Sequence, residues 1–116
     1  MLLNLSNHPS SNWPENQVQA AQQAYGRVED MPFPQISPEA NTPEIEQLAD
    51  EYFQQIISKN PAAVHLMGEL TFCYRLANKL KQANIPVVAS TTNRQVSYDA
   101  QGNKVSNFEF VQFRAY

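Results

Sequence analysis

Residues 62–90, AAVHLMGELTFCYRLANKLKQANIPVVAS, decide the fold of this chain. A short apolar run ends at Met67, and after Gly68 the apolar residues recur at three- and four-residue spacing, which is typical of a helix with one buried face. A second apolar run, from Ile85 to Ser90, follows the helix end near Asn84. A strand, a helix and a strand in this order form a crossover unit, and its two strands lie parallel in one sheet.

The preceding half of the chain repeats this alternation. Leu2 to Ser6 predicts a buried strand, and the next helix begins behind Asn12, with Glu three residues later and Pro in the first turn, and ends at Gly26. Arg27 to Met31 predicts a second strand. After an extended proline-rich loop, a helix begins at Thr42 and carries regularly spaced apolar residues.

The end of the chain has a different pattern. Residues 95–98 and Val105 to Phe113 flank the turn sequence DAQGN, which predicts a β-hairpin. The phenylalanines of the second strand do not alternate strictly, which predicts a β-bulge near Gln112. Together, the elements predict one domain over residues 1–116: an α/β, Rossmann-like open sheet, mainly parallel, with helices on both faces and a C-terminal β-hairpin.

Composition excludes several classes of protein. Cys73 is the only cysteine, so the chain has neither a disulfide framework nor a cysteine-based zinc site. No apolar run approaches the ~20 residues of a membrane span, and the first residues lack the features of a signal peptide. We therefore expect a cytoplasmic protein that does not bind membranes. The net charge of −3 argues against binding of duplex nucleic acid.

The charge is unevenly distributed along the chain. Residues 1–58 carry one cation and eight acids, whereas residues 59–116 carry seven cations and three acids. This asymmetry indicates either a site for an anionic ligand in the second half or simply charges on solvent-facing surfaces.

The carboxyl ends of parallel strands are where open α/β sheets bind ligands. Four loops, at residues 6–10, 31–33, 67–69 and 90–94, are predicted to leave these ends. They are rich in hydroxyl and amide groups that hydrogen-bond phosphates, riboses and bases. Gly68 permits a close backbone approach, and the helix that follows it offers free amides to an anion. The candidate ligand-binding residues are Ser6, Asn7, Gly68, Glu69, Ser90, Thr91, Thr92 and Asn93.

Several of these residues have a simpler structural interpretation. Gly68 serves equally as a turn between strand and helix, and Glu69 as a stabiliser of the first helical turn. His65 alternates with apolar neighbours inside a predicted strand, so we expect it to be a packed core histidine. Phe33, beside two prolines, fits either a base-stacking role or an apolar lid.

No established catalytic motif is present in the sequence. It contains no Walker loop, no dinucleotide-binding glycine pattern and no nucleophile elbow. The only two histidines, His8 and His65, are 57 positions apart, so we predict no metal site and no cofactor.

Four segments resemble small stand-alone CRISPR-associated proteins related to the CARF ring-nuclease group. They are LNLSNHPS at residues 3–10, MGE at 67–69, VVASTTNR at 87–94 and FEFVQFRAY at 108–116. The resemblance implies a Rossmann-like homodimer that binds cyclic oligoadenylate, the second messenger of type III CRISPR defence, and degrades it. No lysine lies in the predicted strand-end loops, although some larger ring nucleases use one, which leaves binding without cleavage open.

Metal-independent cleavage of an RNA ring needs only in-line geometry, a proton transfer and charge stabilisation. The ribose 2′-hydroxyl attacks the neighbouring phosphate and leaves a cyclic 2′,3′-phosphate. We predict His8 as the catalytic base or acid and Arg94 as the group that stabilises the phosphorane.

Two other functions fit the same residues. A non-catalytic interaction module would dock the aromatic hairpin on a partner, with Phe108, Phe110, Phe113 and Tyr116 as anchors. An enzyme acting on a mononucleotide or another small phosphorylated metabolite would use the same loops.

Overall fold

The computed structural model describes residues 1–116 as five strands and three helices. In chain order they are β1 (Leu2–Ser6), α1 (Glu15–Tyr25), β2 (Val28–Asp30), α2 (Thr42–Lys59), β3 (Ala63–Met67), α3 (Leu70–Gln82), β4 (Val87–Tyr98) and β5 (Lys104–Ala115), with a short 3₁₀ turn at Ser10–Asn12. No helix is long and apolar enough to cross a membrane.

The strands form one sheet in the order β2-β1-β3-β4-β5. The first four run parallel, and β5 runs antiparallel to β4. The predicted Rossmann-like open sheet with a C-terminal hairpin is therefore confirmed. The strand order reverses between β1 and β3, and in sheets of this kind ligands bind beside that reversal.

Helices cover both faces of the sheet, as predicted. On one face, α2 and α3 pack over a large apolar core that includes Leu3, Leu5 and Leu66. On the other face, α1 covers a smaller cluster around Leu2, Trp13 and other apolar side chains. Successive side chains of a strand point to opposite faces, so Asn4 and Ser6 lie with Leu2 on the α1 face.

The helix ends follow from local sequence, with one exception. Asn41 caps α2: its side chain accepts from the backbone of Glu44, whose own side chain accepts from the backbone of Asn41. The prediction that Asn12 begins α1 was wrong. Asn12 belongs to the 3₁₀ turn, and α1 starts after Pro14 without a side-chain cap.

The hairpin is longer than the sequence predicted. The predicted loop at 90–94 does not exist, because β4 continues without a break from Val87 to Tyr98. Residues 92–110, called the arm from here on, extend β4 and β5 away from the sheet. The radius of gyration is 16.0 Å, whereas a compact domain of 100 residues has about 13 Å. The predicted bulge is confirmed, because Thr91 pairs with Gln112 and Thr92 with Phe110.

The loop between β2 and α2 folds back over the end of β3. Its Phe33 ring stacks edge-on against Phe72 at a centroid distance of 5.4 Å. The same ring lies on Gly68 so closely that a side chain at this position would overlap it. Gly68 therefore provides space for the Phe33 ring. Of the two roles predicted for Phe33, this packing fits the apolar lid, because the ring covers Gly68 and contacts Phe72.

We predict that Gly68→Ala destabilises the protein by about 1–3 kcal/mol, because the added methyl group overpacks the Phe33 ring. Urea unfolding would measure the loss. In a Phe33→Ala background the same substitution should cost much less, since the overlapping ring is gone. An equal loss in both backgrounds would contradict this packing explanation.

Candidate functional site

A chain of hydrogen-bonded side chains crosses four neighbouring strands on the α1 face. It consists of Asp30 on β2, Asn4 on β1, His65 on β3 and Ser90 on β4, and is called the relay from here on. Asn4 stands directly opposite both Asp30 and His65 in the sheet register. Ser90 follows two residues after Val88, the register partner of His65, and so shares its face. The parallel pairing thus aligns the relay at the carboxyl ends of the strands.

The side-chain amide of Asn4 has only one possible orientation. Its Nδ2 donates to Asp30 Oδ1 at 2.8 Å and to the His8 carbonyl at 2.9 Å. Both partners are pure acceptors at neutral pH, so the nitrogen must face them. The other end, Oδ1, therefore faces the Ser6 hydroxyl and His65 Nδ1, each at 2.8 Å.

This orientation decides the tautomer of His65. An amide oxygen only accepts hydrogen bonds, so His65 Nδ1 carries the proton and donates it to Asn4. The other nitrogen, Nε2, then keeps its lone pair and accepts from the Ser90 hydroxyl at 2.6 Å. The result is a hydroxyl–imidazole–amide arrangement, in which one group orients the base that can take a proton from the hydroxyl.

Burial keeps the His65 ring neutral. The residue is 1% exposed, and Trp13 and Phe113 pack edge-on against its ring at centroid distances of 5.1 and 5.6 Å. Desolvation, with a smaller contribution from His8, lowers the pKa of His65 from its ordinary value to about 4. At neutral pH the imidazole is therefore an uncharged acceptor.

The two ends of the relay differ in environment. At the more exposed end, the partial burial of Asp30 raises the pKa of its carboxyl group. Hydrogen bonds from Asn4 and Ser10 have a larger opposite effect, so the pKa of Asp30 is lowered overall. At the other end, the Ser90 hydroxyl accepts from Gln17 Nε2 at 3.0 Å. No buried side-chain polar atom in the protein lacks a partner. The relay is thus a fully paired network, which holds the imidazole and the hydroxyl in place.

The Ser90 end of the relay opens into a cleft of about 430 Å³. The start of α1, the ends of β1 and β3, and the base of the arm surround it. Aromatic rings form its apolar walls, and amide, hydroxyl and imidazole groups supply the polar contacts. Its lining residues are His8, Asn12, Trp13, Pro14, Gln17, His65, Met67, Ser90, Thr92, Phe108 and Phe110.

The candidate site residues Ser6, Asn7 and His8 lie around the end of β1. His8 is exposed and lines the cleft, so the structure brings the two histidines of the chain to one site. Ser6 is buried and hydrogen-bonds Asn4, which makes it a support of the relay. Asn7 lines a separate cavity of about 470 Å³ on the Asp30 side of β1.

Gly68 and Glu69 do not form the expected anion site. Gly68 is covered by the Phe33 ring. The Glu69 carboxylate caps α3 by accepting from the backbone amides of Thr71 and Phe72 at 3.1 and 2.8 Å. The Thr71 hydroxyl, together with these amides, lowers the pKa of Glu69. The prediction of free amides at this helix end was therefore wrong, because the chain's own carboxylate occupies them.

The candidates at 90–94 lie along a strand, and only some of them reach the cleft. Ser90 and Thr92 point to the α1 face and line it. Thr91 donates to the Gln112 carbonyl, and Asn93 lies beside it on the opposite face by strand alternation. Arg94 lies on the arm, where its guanidinium donates to Ser106.

Sequence reasoning missed Asn4, Gln17 and the polar role of His65. The prediction that His65 is a packed core residue is confirmed, but its packing includes the relay. A signal was present: Asn4 and His65 each interrupt an otherwise apolar strand that is predicted to be buried. A buried polar side chain needs a partner, so two such residues on neighbouring strands indicate a pair.

Comparison with models of protein families matches residues 1–114 to one described as "Uncharacterized protein MJ1673 family". No curated protein matches the sequence.

We predict that stability falls as the pH drops from about 6.5 towards 4. In this range the unfolded chain binds a proton at residue 65, whereas the folded chain, with its lowered His65 pKa, does not. Between pH 7.5 and pH 5 the free energy of unfolding should fall by about 2 kcal/mol from this residue alone. Urea unfolding at both pH values measures it.

The control is His65→Gln, in which this part of the pH dependence should disappear although the protein starts less stable. A pH dependence of the same size in His65→Gln and in the unchanged protein would contradict the assignment.

Proposed function

The chain belongs to the uncharacterized protein MJ1673 family, and from the geometry of its cleft we propose that it binds cyclic oligoadenylate and cleaves it without a metal ion. The observation that carries the proposal is that both histidines line one cleft, and one of them is hydrogen-bonded to a serine hydroxyl there. A pair of imidazoles can supply the base and the acid of RNA cleavage by the ribose 2′-hydroxyl.

The walls of the cleft suit an adenine base. Phe108 offers an exposed aromatic ring, and stacking on such rings is a common way to hold single-stranded nucleotides. The buried rings of Trp13 and Phe110 add apolar wall. Gln17 and Asn12 place side-chain amides at the same cleft, where donors and acceptors can pair with the edge of a base.

The relay supplies the base of the reaction. The 2′-hydroxyl proton passes to Ser90 Oγ as the Ser90 proton passes to His65 Nε2. The 2′-oxygen forms its bond to the adjacent phosphorus, and the bond from phosphorus to the 5′-oxygen breaks. His8, in its protonated form at the cleft mouth, gives the 5′-oxygen its proton. The products carry a cyclic 2′,3′-phosphate and a 5′-hydroxyl, and no metal takes part.

In this proposal, Gln17 stabilises the charge of the phosphorane, whereas the sequence predicted Arg94 for this role. Gln17 Nε2 already donates to Ser90 Oγ, so its amide is near enough to donate to a phosphate oxygen at that place. Arg94 lies on the same strand face as Thr92, one alternation further from the sheet. In this proposal Arg94 holds a neighbouring phosphate outside the cleft.

The cellular role and the oligomeric state are part of the same proposal. The resemblance to CARF-related proteins supports a cytoplasmic role in type III CRISPR defence and a homodimer. A ring with an even number of adenylates can match the two-fold symmetry of a dimer. Two of the hairpin phenylalanines are occupied within the chain, because Phe110 is buried and Phe113 packs against Trp13 and Tyr25. They are therefore not available as anchors for a partner or a second copy.

Binding without cleavage is the second candidate function, and the lowered pKa of His65 favours it. A base whose pKa is about 4 is weaker than the near-neutral base that is ideal for catalysis at neutral pH. A protein of this kind would hold the ring in the cleft and release it unchanged.

Incubation with cyclic tri-, tetra- and hexa-adenylate, with and without EDTA, separates these functions when the products are weighed by mass spectrometry. We expect linear fragments that end in a 2′,3′-cyclic phosphate, at the same rate with and without EDTA. A bound but intact ring would support the binding module instead. Absence of binding to all three rings would overturn both functions.

We predict that His8→Ala slows single-turnover cleavage by ~10²–10⁴-fold, because the leaving oxygen loses its acid. Ring affinity should change little, since the aromatic walls and Gln17 remain. The matched control is Asn7→Ala, the exposed neighbour outside the cleft, which should keep the full rate. Cleavage at the full rate by His8→Ala would refute this role.

A further inference from the structure

The two faces of the arm carry different chemistry. Side chains alternate along each strand, so the register assigns every arm residue to a face. The face shared with the cleft, called the strip from here on, holds Thr92, Arg94, Val96, Tyr98, Lys104, Ser106, Phe108 and Phe110. The opposite face holds Asn93, Gln95, Ser97, Val105, Asn107 and Glu109.

The strip combines exposed aromatic rings with cations. Tyr98 and Phe108 are 71% and 67% exposed, although a folded protein usually buries such large rings. Arg94 pairs across the strands with Phe108, and Lys104 pairs with Tyr98. Each cation is thus placed directly beside an aromatic ring on the same face.

The cations of the strip have no anionic partner in the chain. Neither Arg94 nor Lys104 forms a salt bridge. The two acids of the hairpin are used elsewhere. Glu109 accepts from Gln95 on the opposite face, and Asp99 accepts from the backbone of the turn. The strip therefore has a net positive charge and aromatic surface, which complements a ligand with several phosphates and several bases.

The strip is also continuous with the cleft. Thr92, Phe108 and Phe110 belong to both surfaces. From Thr92 to Tyr98 the strand advances about 20 Å at its usual rise per residue. A mononucleotide in the cleft would leave most of this length uncovered, whereas a chain of nucleotides would follow it.

We propose that the strip binds single-stranded oligoadenylate, stacking bases on Phe108 and Tyr98 and pairing phosphates with Arg94 and Lys104. This inference rests on the proposed function and specifies its substrate: an oligonucleotide whose reacting bond lies in the cleft while further nucleotides lie along the arm. Aromatic rings interleaved with cations are the usual means of binding single strands without reading their sequence.

The direct experiment compares fluorescently labelled linear oligoadenylates of two and six nucleotides by fluorescence anisotropy across a series of salt concentrations. The unchanged protein should bind the hexanucleotide at least about tenfold more tightly than the dinucleotide. Tyr98→Ala should weaken hexanucleotide binding about fivefold or more, because one stacking ring is lost, and should leave dinucleotide binding unchanged. Arg94→Gln should make the salt dependence shallower by about 0.7 in log–log slope, the value for one phosphate contact on a single strand.

Two controls match these variants. Val105→Ala removes an apolar side chain from the opposite face of the arm, and Arg27→Gln removes an exposed cation far from it. Both should bind the hexanucleotide as the unchanged protein does. Equal effects of Tyr98→Ala and Val105→Ala would overturn the assignment of the strip.

The remaining outcomes separate the strip from the cleavage reaction. Ring cleavage together with equal affinity for two and six nucleotides would overturn the strip and leave the proposed function standing. Strip-dependent hexanucleotide binding without cleavage of any ring would support the strip and contradict the reaction. A Tyr98→Ala protein that changes from dimer to monomer with unaltered hexanucleotide affinity would overturn the proposal in favour of contact with a second copy.

Discussion

The hydrogen bond between Asn4 and His65 joins β1 and β3, the neighbouring strands between which the strand order reverses. On one side, Asn4 is oriented by the Asp30 carboxylate and the His8 carbonyl. On the other, it leaves the His65 lone pair facing Ser90. Loss of this bond would leave a buried imidazole N–H unpaired, which costs about 1–3 kcal/mol. The same contact therefore supports the pairing of β1 with β3, the segment that follows β1 and the position of the Ser90 hydroxyl.

The fold was largely predictable because the alternation of strands and helices depends on local apolar spacing. The helix over 42–59 and the strand at its end follow from spacing and from stop signals that lie within a few residues of them. The order of the strands in the sheet is a matter of long-range pairing, and no local pattern encodes it. The polar run at 90–94 resembled a loop because the arm is exposed on both faces and so lacks the apolar alternation of a buried strand.

Part of the candidate site could be predicted from the sequence, whereas the hydrogen bonds of the relay could not. The position of the strand ends follows from the fold class, so His8, Ser90 and Thr92 were correctly placed near one another. The relay depends on which residues face each other across β1, β3 and β4, and that register is fixed only when the strands pair. Glu69 illustrates the opposite case, because its capping role needs no distant contact and was available from the sequence.

The relay and the strip have different roles in the proposed site. At the centre of the relay, His65 is buried, neutral and hydrogen-bonded through both ring nitrogens, which suits a group that must keep a fixed geometry during proton transfer. The strip is exposed and cationic, which suits a ligand that must be captured from solution. The base of the arm, where Thr92, Phe108 and Phe110 line the cleft, links the two surfaces.

The assignment that Asn4 holds the proton of the neutral His65 ring on Nδ1 is tested by ¹⁵N NMR of the imidazole nitrogens at pH 7. Under this assignment, one of the two histidines should have a protonated Nδ1 and an unprotonated Nε2, and its signals should vanish in His65→Gln. A His65 that is protonated on Nε2 alone, or on both nitrogens, would contradict it.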